Sequence, residues 1–323
     1  MNKRLNAIGT TLVLLDGKDA RLDRHVKTLM VQRPILACIL KETVMECKNM
    51  TVEQIEKCLA TNIIVAEANS KEAIESMKVL ELSQESLTAD GEHVIFDILT
   101  VLFLPGVQEP IKVFINLELQ KDEKPGYDVP VRGFFHCARI ISSQLGHEFT
   151  NHPNDKIKYG NIKKVYSIWI CSETAQKRDN SIDQYTIQRE TILGSNSDNP
   201  RYDIMSVMVV NIGKKYETKE TDSQMFLTLK TLFNKKLTAQ EKIKMLDEIG
   251  IPVTESVEKE VEDMCTYTIE TKKEGEKEGR LKEIYSSVAE KDYSLERGAQ
   301  KAEMSIPDFK RAMTEAGFKL PEE

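Results

Sequence analysis

Two acidic residues, Asp97 and Glu118, interrupt two neighbouring stretches that otherwise have the pattern of β-strands. Residues 94–104 are almost all apolar and rich in β-branched and aromatic side chains, which is typical of a strand buried on both faces. Residues 111–120 alternate with period two, so Glu118 and Gln120 share one face of the second strand. Each acid therefore stands inside a segment that favours burial.

The prolines and glycine of residues 105–110 predict a turn between the two strands. If the strands pair antiparallel with Leu104 opposite Ile111, then Asp97 lies opposite Glu118 on the same face of the sheet. Opposed residues have Cβ atoms about 4.5–5.5 Å apart. Two carboxylates at that distance repel each other, and a buried carboxylate without a partner is disfavoured.

Two arrangements would remove this conflict: one carboxyl could be protonated, or a divalent cation could lie between the two. Oxygen ligands at this spacing suit Mg²⁺, which is usually held by one or two carboxylates and several waters. Under the alternative interpretation the register differs, Asp97 caps a strand end and Glu118 is solvated. The residues alone leave both interpretations open.

These residues also belong to a longer pattern. Asp97, then Glu118-Leu119-Gln120 after a hairpin, then a helix with arginines, resembles the PD-(D/E)xK nuclease superfamily. More narrowly, the chain is similar to its recombination-promoting nuclease branch, also called the PD-(D/E)xK nuclease family transposases. Three further blocks are similar to that branch: residues 115–122, 131–144 and 162–171. The likeness extends from about residue 27 to about residue 265.

The resemblance implies an α/β fold, with a restriction-endonuclease-like mixed β-sheet core flanked by helices and a helical C-terminal extension. It implies a Mg²⁺-dependent DNA endonuclease, with Mn²⁺ able to substitute, linked to recombination or mobile-element activity. Asp97, Glu118 and the Leu119 carbonyl would hold the metal, and Gln120 would orient the attacking water. Glu46, on a helix ahead of the first strand, would reach the same site.

The chain departs from the superfamily at Gln120, which occupies the position of the family's lysine. An amide can orient a water molecule but carries no positive charge. Lys121 is adjacent, but on a regular strand its side chain points to the opposite face. The alternative function is therefore a catalytically weakened nuclease fold that acts as a nucleic-acid or protein binding module.

Residues 131–145 have the periodicity of an amphipathic helix. The predicted apolar stripe comprises Phe134, Phe135, Ala138, Ile141 and Leu145. Another face carries Arg132, His136, Arg139 and Ser143. Two arginines directly downstream of the acids suit contacts with phosphate. An ordinary solvated face is the alternative, and the resemblance favours the phosphate role for Arg132 and Arg139.

Composition limits the classes of partner. The 323 residues carry a net charge of −7, which opposes indiscriminate coating of DNA, although DNA binding through one basic face is compatible with it. No apolar run approaches the roughly 20 residues of a membrane-spanning helix. The six cysteines lack a C-x-x-C pair, so buried free thiols are expected. We expect a cytoplasmic protein with DNA as its partner, no membrane association and a homodimer as a candidate assembly.

The pattern predicts three parts: a nuclease-like core at 20–221, a helical extension and charged linker at 222–282, and a small helical tail at 283–323. Further core strands are predicted at 162–171, which should lie parallel to a neighbour, at 185–193 and at 203–212. The tail has the spacing of a helix-turn-helix, at 294–302 and 305–316. Acidic residues dilute its positive charge, so the sequence favours a docking or dimerisation tail over a DNA-reading one.

Overall fold

The structure is a computed structural model. It describes residues 17–60, 64–65, 97–106, 111–120, 125–144, 148, 158–175, 178, 180–195, 197–198, 201–213, 216 and 222–321. Most of the turn predicted at 105–110 lies outside these residues.

A mixed β-sheet forms the centre of the larger part of the chain. Its strands are β1 (Ile64–Val65), β2 (Ile98–Leu104), β3 (Ile111–Gln120), β4 (Lys164–Thr174), β5 (Ser181–Thr186) and β6 (Met205–Gly213), in the spatial order β1-β2-β3-β4-β6-β5. The three central strands β3, β4 and β6 are parallel, and the remaining pairs are antiparallel. The predicted α/β class with a mixed sheet is confirmed, as is the parallel orientation of β4.

The helices in the described residues are α1 (Gly17–Met30), α2 (Arg33–Thr43), α3 (Val52–Cys58), α4 (Val129–Ser143), α5 (Gln224–Phe233), α6 (Ala239–Glu248), α7 (Glu255–Ala289), α8 (Leu295–Lys301) and α9 (Ile306–Glu315). Side-chain caps mark the start of several helices. Thr51 and Gln54 form a capping box at α3, and the Ser294 and Ser305 side chains cap α8 and α9. None of these helices is long and apolar enough to cross a membrane.

The strand predicted at 185–193 is wrong in its extent. β5 ends at Thr186, and residues 187–193 continue without regular structure. The reason is that β5 is an edge strand whose partner is β6. Thr186 pairs with Ser206, and β6 begins only one residue earlier, at Met205. Beyond Thr186 no described strand offers hydrogen bonds to the backbone.

Helix α4 covers one face of the sheet, with a different side inward from the one predicted. Its buried residues are Val129, Gly133, His136, Cys137, Ile140 and Ser143. Phe135, assigned to the apolar stripe, is half exposed. The prediction failed because the sheet surface below α4 carries the buried polar residues Asn116 and Glu118, and these take His136 as a partner.

The chain divides into two compact units, Met1–Met264 and Cys265–Glu323. In the smaller unit the last turns of α7 pack with α8 and α9 around Tyr285 and Phe309, whose rings lie 5.1 Å apart. The predicted helix-turn-helix spacing is present as α8, a short turn and α9. The predicted division at 222 and 283 stays a prediction.

The cysteines are free thiols, as expected, and five of the six are buried. Burial raises the pKa values of Cys38, Cys47 and Cys137 to about 12. Their thiolate forms are therefore rare at neutral pH, which favours a packing role over a catalytic one.

The contact between α4 and the sheet yields a first prediction. A Cβ atom on Gly133 would lie 2.5 Å from Val207 Cγ1 and 3.0 Å from Trp169 Nε1. Gly133→Ala should therefore lower the free energy of unfolding by about 1–3 kcal/mol, although alanine favours helix by about 1 kcal/mol. Urea unfolding followed by the fluorescence of Trp169, the one tryptophan in the sequence, measures the change.

Gly279→Ala is the matched control, because a Cβ there meets nothing within 4 Å. This variant should be more stable by about 0.5–1 kcal/mol in urea unfolding followed by circular dichroism. A Gly133→Ala protein as stable as wild type would contradict the tight approach of α4 to β4 and β6.

Candidate active site

The register of the β2–β3 hairpin sets the position of the two acids. Leu104 pairs with Ile111, as predicted, and the pairing continues without a break to Ile98 and Leu117. Asp97 directly precedes β2, and Glu118 directly follows Leu117 on β3. The next pair in the register is therefore Asp97 with Glu118, on the face of the sheet that α4 covers.

Hydrogen bonds join the two acids to each other's strands. The Asp97 backbone N–H donates to Glu118 Oε1 at 3.3 Å, and the Leu119 N–H donates to Asp97 Oδ2 at 2.9 Å. Because the N–H and C=O of a strand residue point to the same side of the strand, the Leu119 carbonyl is also directed to the side of Asp97. Two carboxylates and one carbonyl oxygen thus lie at one place at the end of the hairpin.

The sequence predicted that a proton or a metal would relieve the repulsion between the acids. In the structure, side chains from two helices contact them. Lys27 Nζ on α1 lies 2.8 Å from Asp97 Oδ1, and His136 Nδ1 on α4 lies 3.2 Å from Glu118 Oε1. Each acid therefore has a nitrogen partner of its own.

Glu118 is 5% exposed, and burial raises the pKa of its carboxyl above the ordinary value. The nearby Asp97 raises the pKa further, while His136 and Arg132 oppose the increase. The larger effects favour the neutral carboxyl, which is the expected behaviour of two acids that share a buried place.

A buried polar network continues from Glu118 across the sheet. The Asn116 amide lies 3.1 Å from both His136 Nδ1 and Ser167 Oγ, and the Trp169 indole N–H donates to Ser167 Oγ at 2.9 Å. The His136 ring also lies against the Trp169 ring, with centroids 5.4 Å apart. The imidazole is thus fixed between β3, β4 and α4.

Arg132 contacts the far side of the His136 ring. Its Nε donates to His136 Nε2 at 3.5 Å, whereas Glu118 Oε1 and the Asn116 amide both lie close to Nδ1. The guanidinium also stacks 4.8 Å from the Tyr127 ring and 5.6 Å from the Trp169 ring.

Gln120 lies on the same face of β3 as Glu118, two residues further along. Its Oε1 accepts a hydrogen bond from the Tyr127 hydroxyl at 3.1 Å. Tyr127 in turn stacks with Arg132, so these three side chains support one another beside the acids. The structure therefore places Gln120 and Arg132 on the same side of the sheet as Glu118.

Arg139 and Glu46 are not brought to this pair. Arg139 is partly buried on α4, and its Nε and Nη2 have no hydrogen-bond partner among the described residues. Glu46 accepts a hydrogen bond from the Tyr166 hydroxyl at 2.7 Å and lies 3.2 Å from Lys164 Nζ.

The position of Glu46 is a correction to the predicted site. Tyr166 pairs with Ile115, whereas Glu118 pairs with Trp169, three residues along β4. Residues three apart on a strand point to opposite faces, so Glu46 lies on the other side of the sheet from Glu118. Its short helical turn, Met45–Cys47, contacts the Tyr166 hydroxyl on that side, which directs Glu46 away from the acids.

The donor set suits a hard divalent cation. Mg²⁺ and Mn²⁺ prefer oxygen ligands, and Mg²⁺ typically takes one or two carboxylates and keeps several waters. Asp97, Glu118 and the Leu119 carbonyl fit that chemistry. Within the described residues there is no group of three or more His, Cys, Asp and Glu side chains that could hold a metal ion.

Sequence reasoning missed two important neighbours of the acids. Lys27 is 70 positions from Asp97, and no local pattern links them. His136 carried a signal, because it follows Arg132 by one helical turn, but the sequence favours a solvated or phosphate-binding face for it.

Comparisons with protein-family models, curated proteins and solved structures give no match to this chain.

Asp97 contacts a lysine and Glu118 contacts a histidine, so we expect neutralising the two acids to change the free energy of unfolding by different amounts. Asp97→Asn leaves the Lys27 ammonium, 6% exposed, beside a neutral amide. Breaking a fully buried ion pair costs about 3–5 kcal/mol, and we expect about 1–3 kcal/mol because the Asp97 side chain is 17% exposed. Glu118→Gln should stay within about 1 kcal/mol of wild type or exceed it, because burial disfavours the charge that it removes.

Urea unfolding at pH 7 in the presence of EDTA, followed by Trp169 fluorescence, compares the two variants without metal. Glu276→Gln on the exposed surface of α7 is the control for the chemical change itself. A larger loss for Glu118→Gln than for Asp97→Asn would contradict the assignment of Lys27 to Asp97.

Proposed function

We propose that this protein is a Mg²⁺-dependent DNA endonuclease that hydrolyses phosphodiester bonds, with Mn²⁺ able to replace Mg²⁺. The observation that carries the proposal is the placement of Asp97 and Glu118 opposite each other at the end of the β2–β3 hairpin, with the Leu119 carbonyl on the same side. A pair of buried acids lowers the stability of the fold, and the binding of a divalent cation is a function that would account for it.

Asp97, Glu118 and the Leu119 carbonyl would hold the metal. When bound, it would lower the pKa of a water molecule and offset negative charge on the scissile phosphate. Gln120, held by Tyr127, would orient the attacking water.

Arg132 would bind a phosphate oxygen. Its guanidinium is planar and already ordered by Tyr127 and Trp169, so little side-chain entropy is lost on binding. In the reaction the water oxygen bonds to phosphorus, one P–O ester bond breaks, the water loses a proton and the leaving alkoxide gains one.

Other features belong to the same proposal and rest on the resemblance of the sequence. They are the restriction-endonuclease-like form of the fold, a link to recombination or mobile-element activity, a cytoplasmic location and a homodimeric assembly. Arg139 as a second phosphate contact also belongs here and rests on the resemblance alone.

The proposal predicts loss of cutting when either acid is neutralised. Asp97→Asn and Glu118→Gln should each reduce Mg²⁺-dependent nicking of supercoiled plasmid to background, because each removes a metal ligand. Glu276→Gln, an exposed acid far along the sequence, should cut at the wild-type rate. Gel assays of nicked and linear product measure the rates, and cutting by both site variants at the wild-type rate would refute the assignment.

A second candidate function is a nuclease fold that binds nucleic acid or protein without catalysis. The observation that favours it is that Asp97 and Glu118 already have Lys27 and His136 as partners, so the fold balances their charge without a metal.

Calorimetric titration with Mn²⁺ separates the two functions. A catalytic site should bind Mn²⁺ with measurable heat and raise the melting temperature by mass action, and Asp97→Asn should abolish both effects. Equal heats for wild type and Asp97→Asn would favour the binding module.

A further inference from the structure

Gln120 leaves the proposed site without a positive charge on β3. Hydrolysis of a phosphodiester needs a deprotonated water and builds negative charge on the phosphate oxygens. A fixed cationic side chain next to the acids would stabilise both the hydroxide and the charged phosphate oxygens. An amide carries no positive charge and cannot do this. A cation from another element is therefore the feature to look for.

Lys27 is the side chain that meets this requirement. It lies on α1, and its ammonium contacts Asp97 Oδ1 at 2.8 Å while Oδ2 of the same carboxylate accepts the Leu119 N–H. Lys27 therefore reaches the carboxylate that is bonded to the backbone next to Gln120. Its side chain is 8% exposed, which removes most of the screening by water.

Two other buried lysines show what a structural lysine does in this fold. Lys230 contacts Asp222 at 2.7 Å, eight residues away, and Lys242 donates to the Leu232 carbonyl at 2.6 Å. Both bind partners within the adjoining helices and their connections. Lys27 instead reaches across the fold to an acid of the candidate site.

Arg132 does not serve the same purpose. Its Nε is directed to His136 Nε2, and its guanidinium lies over the Tyr127 and Trp169 rings. That position suits a phosphate oxygen on the α4 side of Glu118. Arg132 and Lys27 thus approach the pair of acids from different helices.

We propose that Lys27 is the catalytic cation of this site, in place of the lysine that β3 lacks, and contacts the attacking water and the scissile phosphate. This inference rests on the proposed nuclease function. Lys27 takes no part in proton transfer: the water gives its proton to solvent, the water oxygen bonds to phosphorus, and the alkoxide released by the broken P–O bond takes a proton from solvent. The ammonium stabilises the hydroxide and the charge on phosphate.

The test uses Lys27→Met, which keeps the side-chain length and removes the charge. Nicking at saturating Mg²⁺ should fall about 100-fold, the usual loss when one fixed donor to developing charge is removed. Mn²⁺ affinity measured by calorimetry should be equal to wild type or tighter, because Lys27 no longer competes for Asp97. A merely structural lysine would instead weaken Mn²⁺ binding when removed, since Asp97 would lose its position.

The decisive experiment moves the positive charge from Lys27 to β3. Adding Gln120→Lys to Lys27→Met should restore nicking at least about tenfold, because a lysine on β3 returns a cation to the same acids. Lys244→Met, an exposed lysine on α6, is the control and should cut at the wild-type rate. Lys27→Gln, which also removes the charge but keeps a polar hydrogen-bond donor, repeats the test if the methionine variant does not fold.

Lys27→Met protein that cuts within about threefold of wild type, or a folded double variant with no recovery, would overturn the role of Lys27 while leaving the nuclease function in place. Wild-type protein without metal-dependent cutting would overturn the nuclease function and this inference together. The plasmid assay with wild type thus distinguishes the two failures.

Discussion

The opposition of Asp97 and Glu118 is the constraint around which the rest of this unit is arranged. Two acids at the end of a buried hairpin repel each other, and burial of Glu118 adds to the cost. The fold meets that cost with nitrogen groups from two separate helices, Lys27 on α1 and His136 on α4. Both helices must therefore pack against the sheet in defined positions for the hairpin to be stable.

Helix α4 shows how this requirement affects packing. To place His136 against Glu118, the helix turns a polar residue inward and leaves Phe135 half exposed. Gly133, one turn earlier, lets the helix approach Trp169 and Val207 closely. The apolar area lost at Phe135 is offset by the contacts at Cys137 and Ile140 and by a hydrogen-bonded network in which His136, Asn116, Ser167 and Trp169 take part.

Contacts between residues close together in the sequence could be predicted from it, and contacts between distant residues could not. The hairpin register followed from period-two alternation and a turn signal, both local, and Asp97 and Glu118 were paired correctly. Helix caps such as Thr51 followed from local patterns as well. The contacts of Lys27 with Asp97 and of His136 with Glu118 depend on tertiary packing. No local pattern links Lys27 to Asp97, and the helical spacing of His136 from Arg132 does not identify Glu118 as its partner.

The two incorrect predictions, the position of Glu46 and the inward face of α4, also arise from tertiary packing. Glu46 was assigned to the site because it lies on a helical segment before the first strand, but a helix can carry an acid to either side of a sheet. The inward face of α4 was assigned by hydrophobicity, which fails where the opposing sheet surface is itself polar. For Glu46 and for α4, the surface that the segment packs against, and not its own sequence pattern, determines which way the side chains point.

A site balanced by its own side chains has a consequence for how metal binding and folding are linked. Zinc-finger-type sites fold only when metal neutralises their ligands. Lys27 already contacts Asp97 Oδ1, so a cation at the proposed metal site would have to share that carboxylate with an ammonium. The lysine would then lower the affinity for metal while lying beside the metal's ligands. A buried ion pair contributes little net stability compared with apolar packing, but loss of one partner is costly. Lys27 therefore offsets the cost of burying Asp97 without adding much stability of its own.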